Sequence, residues 1–329
     1  MKILCVAGSR GERAKLAPVV AALEGGHEVA FVHISRSGQV PTWDASASPP
    51  EALRLEIGDS TPILRTGAVL RWMEPLLAER GSDLLVTCGA SDAALGAALA
   101  ASLAHVAAAH LDAGVAAVDT APNAQLLDQT SIFLLAPHLA AVERLAHRGM
   151  AHWAYLCGDT LADGPAPVAN IVDAAPGPYG LCYLGGPALE SPALPAVFDA
   201  LGRMAMQVLL PAPPSARSSL ELHRLAPPEN VHLIEPLDYV TMQEAVAGAT
   251  FVITDSPTLQ RESYFRGTLA LGLAPADFAD AENSGWVRPV AMDGESILEA
   301  AKSPPPAQPP DTQAHRGAGA RAAQFLTGL

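Results

Sequence analysis

The chain has 329 residues, half of them hydrophobic and 16% charged, so it can bury a large core and does not have the composition of a disordered protein. Its formal net charge of −14 argues against nucleic acid and anionic membrane surfaces as partners. No apolar run reaches the roughly 20 residues of a membrane-spanning helix, and no secretory signal is expected at the N-terminal "KILCVAG", so a cytoplasmic location is predicted.

Strand-like and helix-like segments alternate through the first half of the chain. The predicted strands are residues 2–8, 27–34, 83–89, 105–114, 131–137 and 152–158. The predicted helices are residues 10–23, 62–80, 91–103 and 138–148. Short connections between alternating strands and helices are typical of βαβ units, so a parallel sheet is expected.

The same alternation restarts in the second half of the chain. Strands are predicted at 179–185, 206–212, 231–236 and 251–256, and helices at 191–204, 240–248 and 257–266. We therefore predict an α/β protein with two Rossmann-like, doubly wound parallel-sheet domains facing a central cleft, at residues 1–163 and 179–302. A Pro- and Gly-rich linker at 164–178 joins them, and 303–329 form a Pro-rich tail that ends in a short helix.

The four cysteines lie far apart in the sequence, each beside an apolar run: Cys5, Cys88, Cys157 and Cys182. No two have the spacing of metal ligands, so they are interpreted as buried free thiols in a reducing compartment. We expect neither a metal nor a cofactor.

The first strand-to-helix turn is "VAGSRGERAKLAP". Gly8 and Ser9 allow a tight turn, and the positive end of the following helix favours an anion. Arg10 and Lys15 lie near that end and are candidates for phosphate or substrate contacts. By spacing alone, the turn is more often an exposed helix start with solvated charges.

Two further strand ends carry carboxylates. In "AHLDAG", His110 and Asp112 follow a predicted strand, where ligand and catalytic groups concentrate in open α/β sheets. A His–Asp pair is equally often a strand-end hydrogen bond or a helix cap. In "CGASDAAL", Ser91 and Asp92 have the simpler role of capping or first-turn residues.

The segment "VITDSPTLQRE" predicts a strand followed by a helix. Either Asp255 or Ser256 is the expected N-cap, and Pro257 the first helical residue, where proline is tolerated. Glu262 lies about one and a half turns further on, within reach of a ribose diol. A well-capped helix with an exposed Glu explains the pattern equally well.

Together these motifs resemble the non-hydrolysing UDP-N-acetylglucosamine 2-epimerases. That family's G-T-R-P-E-x-x-K-x-x-P turn matches Gly8 to Pro18, its H-V-E-A-G strand end His110 to Gly114, and its G-N-T-x-x-D segment Gly158 to Asp163. Its N-V-x-L-I-x-P-x-x-Y segment matches Asn230 to Tyr239, and its T-D-S-G-G-x-Q-E-E segment Thr254 to Glu262. These matches keep the family's order and spacing over most of the chain.

The resemblance implies the GT-B fold and inversion of C2 in UDP-GlcNAc through UDP elimination and re-addition. It implies a UDP-HexNAc ligand, a homodimer and no cofactor. Asp112, Lys15 and Asp92 become the candidate catalytic residues. The candidate nucleotide or phosphate contacts are Arg10, Ser256, Thr258 and Glu262.

Several family positions are altered. The family's G-D is Gly89-Ala90 here, its Glu is the shorter Asp112, and Asn123 alone remains of P-E-E-A-N-R, where Asp119 is a further carboxylate. The G-H-R-R-E loop reads "GGPALE", the E-R-P-E segment reads "DFAD", and Pro257 and Thr258 replace two glycines. Three functions stay open: an epimerase with a rearranged acid/base set, a non-catalytic UDP-sugar-binding or partner subunit, and another nucleotide-sugar enzyme such as a glycosyltransferase or hydrolysing epimerase.

Overall fold

A computed structural model describes residues 1–36, 52–58, 60–115, 122–164 and 177–328. The chain divides into two compact units. Unit 1 comprises Met1–Gly164 and Thr312–Leu329, and unit 2 comprises Pro165–Asp311. The chain therefore leaves unit 1, builds unit 2 and returns to unit 1.

Unit 1 contains a parallel sheet with the strand order β3-β2-β1-β4-β5-β6-β7 among its described residues. The strands are β1 (Lys2–Ala7), β2 (Glu28–Arg36), β3 (Ala52–Ile57), β4 (Leu84–Cys88), β5 (Ala107–Leu111), β6 (Phe133–Ala136) and β7 (Ala154–Leu156). The central strands β1 and β4 are apolar runs with both faces covered, as a buried parallel sheet requires. Their carboxyl ends lie at one edge of the sheet, where the α1 and α3 turns begin.

Helices cover both faces of this sheet. They are α1 (Arg10–Leu23), α2 (Pro62–Arg80), α3 (Asp92–Leu103), α4 (Pro122–Thr130) and α5 (Leu139–His147). One face packs against α1 and the other against α2 and α3. Ser9, Thr61 and Ser91 cap α1, α2 and α3 by accepting an amide hydrogen bond, which fixes where each helix begins.

Unit 2 contains a second parallel sheet with the order β10-β9-β8-β11-β12-β13 in the part of the chain described. Its strands are β8 (Tyr179–Tyr183), β9 (Gln207–Pro211), β10 (Val231–Ile234), β11 (Phe251–Thr254), β12 (Leu269–Gly272) and β13 (Val287–Pro289). Its helices are α6 (Pro187–Glu190), α7 (Leu194–Gly202), α8 (Pro214–Leu222), α9 (Tyr239–Gly248), α10 (Pro257–Arg266), α11 (Ala279–Asn283) and α12 (Gly294–Lys302).

The last helix, α13 (Ala318–Thr327), packs on α1 of unit 1. A Cβ on Gly319 would lie 2.7 Å from the backbone of Pro18, so glycine permits this close helix contact. Asp163 accepts the amides of Gly317 at 2.7 Å and Gly319 at 2.8 Å. The Nε of Arg321 donates to the carbonyl of Cys157 at 2.8 Å, so polar contacts fasten both the start and the body of this segment.

Two parallel-sheet units with interleaved helices confirm the predicted α/β class. Sequence patterns did not predict the short strands β3, β12 and β13 or the helices α4, α6, α8, α11 and α12. Residues 165–176 of the predicted linker, and Asp119, lie outside the described residues. Within the described ranges, no helix combines the length and apolar composition needed to cross a membrane.

Candidate functional site

Lys15 and Asp112 meet at the carboxyl edge of the unit 1 sheet. Lys15 projects from the second turn of α1, Asp112 follows β5 directly, and the two form an ion pair. Both are buried, with 7% and 6% of their surfaces exposed. The structure thus brings together two of the three predicted catalytic residues, which are 97 positions apart in the sequence.

The backbone at Asp112 is unusual, with φ of 67° in the left-handed region. Residues other than glycine seldom adopt this conformation, although aspartate tolerates it better than most. Such conformations persist where surrounding structure enforces them, and they concentrate at functional sites. Here the turn after β5 directs the Asp112 carboxylate towards Lys15.

Glu12 links the two strand-to-helix turns beside this pair. Its carboxylate accepts the amide of Gly8 at 2.6 Å, the amide of Ser91 at 3.1 Å and the hydroxyl of Ser91 at 3.0 Å. Burial raises the pKa of Glu12, and the donors of Gly8 and Ser91 act in the opposite direction. The Gly8 amide, in the turn that was predicted to bind an anion, therefore already donates a hydrogen bond to the carboxylate of Glu12.

His110 contacts Asp128 of α4. Its Nδ1 lies 2.7 Å from Asp128 Oδ1, and its Nε2 lies 2.7 Å from the carbonyl of Gly89. Asp128 also accepts from Nη1 of Arg148 at 2.6 Å. Both ring nitrogens face acceptors, so the imidazole is held in one orientation and supports the turn after β4.

Cys157 lies close to Asp112. Burial raises the pKa of its thiol to about 12, and the charges of Asp112 and Asp159 add to that effect. The thiol is therefore protonated near neutral pH and is a poor nucleophile. All four cysteines are buried and none forms a disulfide, and no cluster of three or more potential metal ligands occurs among the described residues.

Asp92, the third predicted catalytic residue, begins α3. Its carboxylate accepts from Nε of Arg65 at 2.7 Å and from Nδ2 of Asn123 at 3.0 Å. It thereby connects α2, α3 and α4 and makes no direct contact with Lys15 or Asp112. Asn123 also donates to the carbonyl of Ala90 at 3.2 Å, which places a polar cluster around the 89–91 turn.

In unit 2, the start of α10 carries the predicted nucleotide contacts. Ser256 is the N-cap, with its Oγ accepting the amide of Leu259 at 3.3 Å, and Pro257 is the first helical residue, as predicted. Thr258 is half-buried and Glu262 is 6% exposed on the same helix. Burial lowers the pKa of Arg266, while the charges of Tyr239 and Glu262 oppose that effect.

Asp255 turns away from α10. Its carboxylate accepts the amides of Gly185, Gly186 and Ala188, each at 3.0 Å. Of the two N-cap candidates, Ser256 caps the helix and Asp255 organises the loop after β8. The Gly185-Gly186 pair is the sequence feature that could have indicated this loop around the Asp255 carboxylate, because glycines let a backbone close around an anionic group.

Arg10, the remaining predicted contact, is the first residue of α1 and is half-buried at the same turn as Glu12. The predicted contacts therefore fall into a group in unit 1 (Arg10, Lys15, Asp112) and a group in unit 2 (Ser256, Thr258, Glu262).

A family model described as UDP-N-acetylglucosamine 2-epimerase matches residues 46–316. The chain belongs to the UDP-N-acetylglucosamine 2-epimerase family. A homologue of the epimerase from Methanococcus maripaludis is 24% identical over 91% of each chain. The UDP-2,3-diacetamido-2,3-dideoxy-D-glucuronate 2-epimerase of Pseudomonas aeruginosa is 26% identical over 92% of this chain and 89% of its own.

Among solved structures, the UDP-GlcNAc 2-epimerase of Methanocaldococcus jannaschii in complex with UDP-GlcNAc and UDP superimposes with a TM-score of 0.86. The match covers 100% of both chains at 21% sequence identity. At this identity the likeness speaks for the fold, and it confirms the GT-B-like class that the motifs implied.

Proposed function

We propose that this chain epimerises a UDP-N-acetylhexosamine at C2 by eliminating UDP and adding it back. The observation that carries the proposal is the buried Lys15–Asp112 pair, formed by two of the motifs that resemble the family. Membership of the family and the activities named for its relatives support the same reaction.

Asp112 is proposed to exchange the proton at C2. A general base must be ionised and held in place, and an adjacent ammonium does both for a carboxylate. Lys15 is therefore assigned to hold Asp112 ionised and to stabilise negative charge that develops on the substrate. Asp92, bound by Arg65 and Asn123, is assigned the positioning of the 89–91 turn.

Arg10, Ser256, Thr258 and Glu262 are proposed to bind the UDP moiety. The amide of Leu259 donates to Ser256, and Pro257 has no amide hydrogen. The start of α10 therefore has fewer backbone N–H groups for a phosphate than it would have with two glycines after Ser256. The hydroxyls of Ser256 and Thr258 replace part of that capacity, and Glu262 is assigned to the ribose hydroxyls. The proposal also includes a cytoplasmic location and a homodimeric state. Light scattering on the purified protein tests the homodimer.

Deuterium incorporation tests the reaction. UDP-GlcNAc incubated with the protein in D₂O should acquire deuterium at C2, as read by proton NMR. Asp112→Asn should abolish the exchange, and Asp199→Asn, which alters an exposed carboxylate, should not. Melting curves of both variants show whether each remains folded.

Calorimetry with UDP separates the other outcomes. UDP binding without C2 exchange, on UDP-GlcNAc and on a UDP-diacetamido-glucuronate, would assign the chain as a non-catalytic UDP-sugar-binding subunit. UDP release without C2 exchange would assign transfer or hydrolysis instead. Absence of both binding and exchange would overturn the proposal, and full exchange in Asp112→Asn would overturn the assignment of the base.

A further inference from the structure

Three basic residues lie on the α1 face of the unit 1 sheet, and of these Arg13 and His33 are buried and Arg54 is exposed. His33 of β2 and Arg54 of β3 are register partners, so they share a face of the sheet. Phe31 lies two residues before His33 on that face and packs with α1. The guanidinium of Arg13, in α1, lies 5.4 Å from the centre of the Phe31 ring, which brings all three basic residues to one place.

The positive charges of these residues act on one another's pKa values. Burial lowers the pKa of Arg13 to about 10, and the charge of Arg54 adds to the effect. Burial also lowers the pKa of His33 to about 4, with further contributions from Arg13 and Arg54. Positive charge is therefore concentrated around a neutral imidazole.

His33 provides a second, independent indication of a ligand. Its side chain is buried, with 6% of the residue exposed, yet its Nδ1 has no hydrogen-bond partner in the described part of the chain. Buried polar atoms are nearly always bonded, and an exception calls for an explanation. A bound group that accepts or shares a proton at Nδ1 supplies one.

Two acidic residues, Glu12 and Glu56, lie near the cluster along the chain. Glu56 shares the β3 face with Arg54 but is exposed and makes no ion pair with it within the described ranges. Glu12, one residue before Arg13, is bonded to Gly8 and Ser91. On the neighbouring strand β1, the register partner of His33 is Ala7, the last residue of that strand. The cluster is therefore at the end of the sheet where α1 begins.

We propose that Arg13, His33 and Arg54 form a binding site for a tetrahedral oxyanion of the sulfate or phosphate class. Guanidinium groups bind such anions through paired N–H donors, and the first turn of α1 adds the positive end of a helix dipole. The residues have no part in the proposed epimerase reaction, so the site stands independently of it.

Anion binding at this site should be coupled to proton uptake. A bound dianion offsets the charges of Arg13 and Arg54, which removes part of the effect that keeps His33 neutral. Affinity should therefore increase as the pH falls from 7.5 to 5.5. Sulfate is the appropriate probe, because it stays doubly charged over this range and any pH dependence comes from the protein.

Calorimetry with sodium sulfate, at constant ionic strength set by chloride, tests the site. Arg54→Gln should weaken sulfate binding about tenfold, the loss expected for one charged hydrogen bond. Arg71→Gln removes the same charge from an exposed position on α2, on the other sheet face, and should leave the affinity unchanged. His33→Gln should retain binding at pH 7.5 but lose the increase at pH 5.5.

Two results would overturn the proposal: no saturable sulfate binding to the folded wild-type protein, or equal weakening by Arg54→Gln and Arg71→Gln. Competition between sulfate and UDP shows whether the site binds a nucleotide phosphate or a free oxyanion. If UDP displaces sulfate and Arg54→Gln weakens both, the site takes a nucleotide phosphate. If sulfate binds without displacement, the ligand is a free oxyanion.

Discussion

Replacing His33 with glutamine should make the unfolding free energy less sensitive to acid. The pKa of His33 is lowered to about 4 in the folded protein, by burial first and by Arg13 and Arg54 next. The usual value in an unfolded chain is about 6.5. Between these values the unfolded chain binds more protons, so the stability associated with neutral His33 is present above pH 6.5 and is lost as the pH falls towards 4.

The size of the effect follows from the interval between the two pKa values. About 2.5 pH units at about 1.4 kcal/mol each give about 3 kcal/mol for the complete loss. At pH 5, about 2 kcal/mol of this should already be lost relative to pH 7.5. Both are upper limits, because water that reaches the ring reduces the contribution of the two arginines.

Urea unfolding at pH 7.5 and pH 5, in chloride buffers free of sulfate and phosphate, measures the effect. The drop in unfolding free energy between the two pH values should be about 2 kcal/mol smaller in His33→Gln than in the wild type. His152→Gln, which replaces an exposed histidine in unit 1, should behave as the wild type. Equal drops in His33→Gln and wild type, to within about 0.5 kcal/mol, would refute the reasoning.

Further predictions concern stability at other carboxylates. Asp255→Ala should lower the unfolding free energy of unit 2 by about 3 kcal/mol, because the buried amide of Ala188 and the partly buried amides of Gly185 and Gly186 lose a charged acceptor; a urea-unfolding change below about 1 kcal/mol would contradict this. Asp163→Ala should cost about 1 kcal/mol and speed amide exchange in α13 ahead of α1, and unaltered exchange would count against the capping role. Asp92→Asn should lower the unfolding free energy by about 1 kcal/mol, measured by urea unfolding, and should retain deuterium exchange at C2. Loss of the exchange in a folded variant would instead assign Asp92 a role in the reaction.

Much of the strand-and-helix order could be predicted from the sequence, because apolar runs and Gly-containing turns mark many of the βα units. The helix start at Pro257 was predicted to the residue and its N-cap to one of two residues, Asp255 or Ser256, since cap chemistry and proline at the first helical position are local. The strands β12 and β13, of four and three residues, were not predicted.

Contacts between distant residues were less predictable than elements. The Asp112 carboxylate was expected at a strand end, but its ion pair with Lys15 depends on the β1-β4-β5 arrangement of the sheet. His110 was considered beside Asp112, whereas its partner is Asp128, eighteen residues away on α4. The Arg13–His33–Arg54 cluster left no local pattern, because a helix and two neighbouring strands each supply one residue.

The return of residues 312–328 to unit 1 has a consequence for biosynthesis. During translation, α1 is made before unit 2, and α13 is made only after all of unit 2. Until then, Ala322 and Leu326 cannot cover the apolar surface of α1 that they pack against in the finished unit. Unit 2 can therefore complete its sheet before α13 completes unit 1.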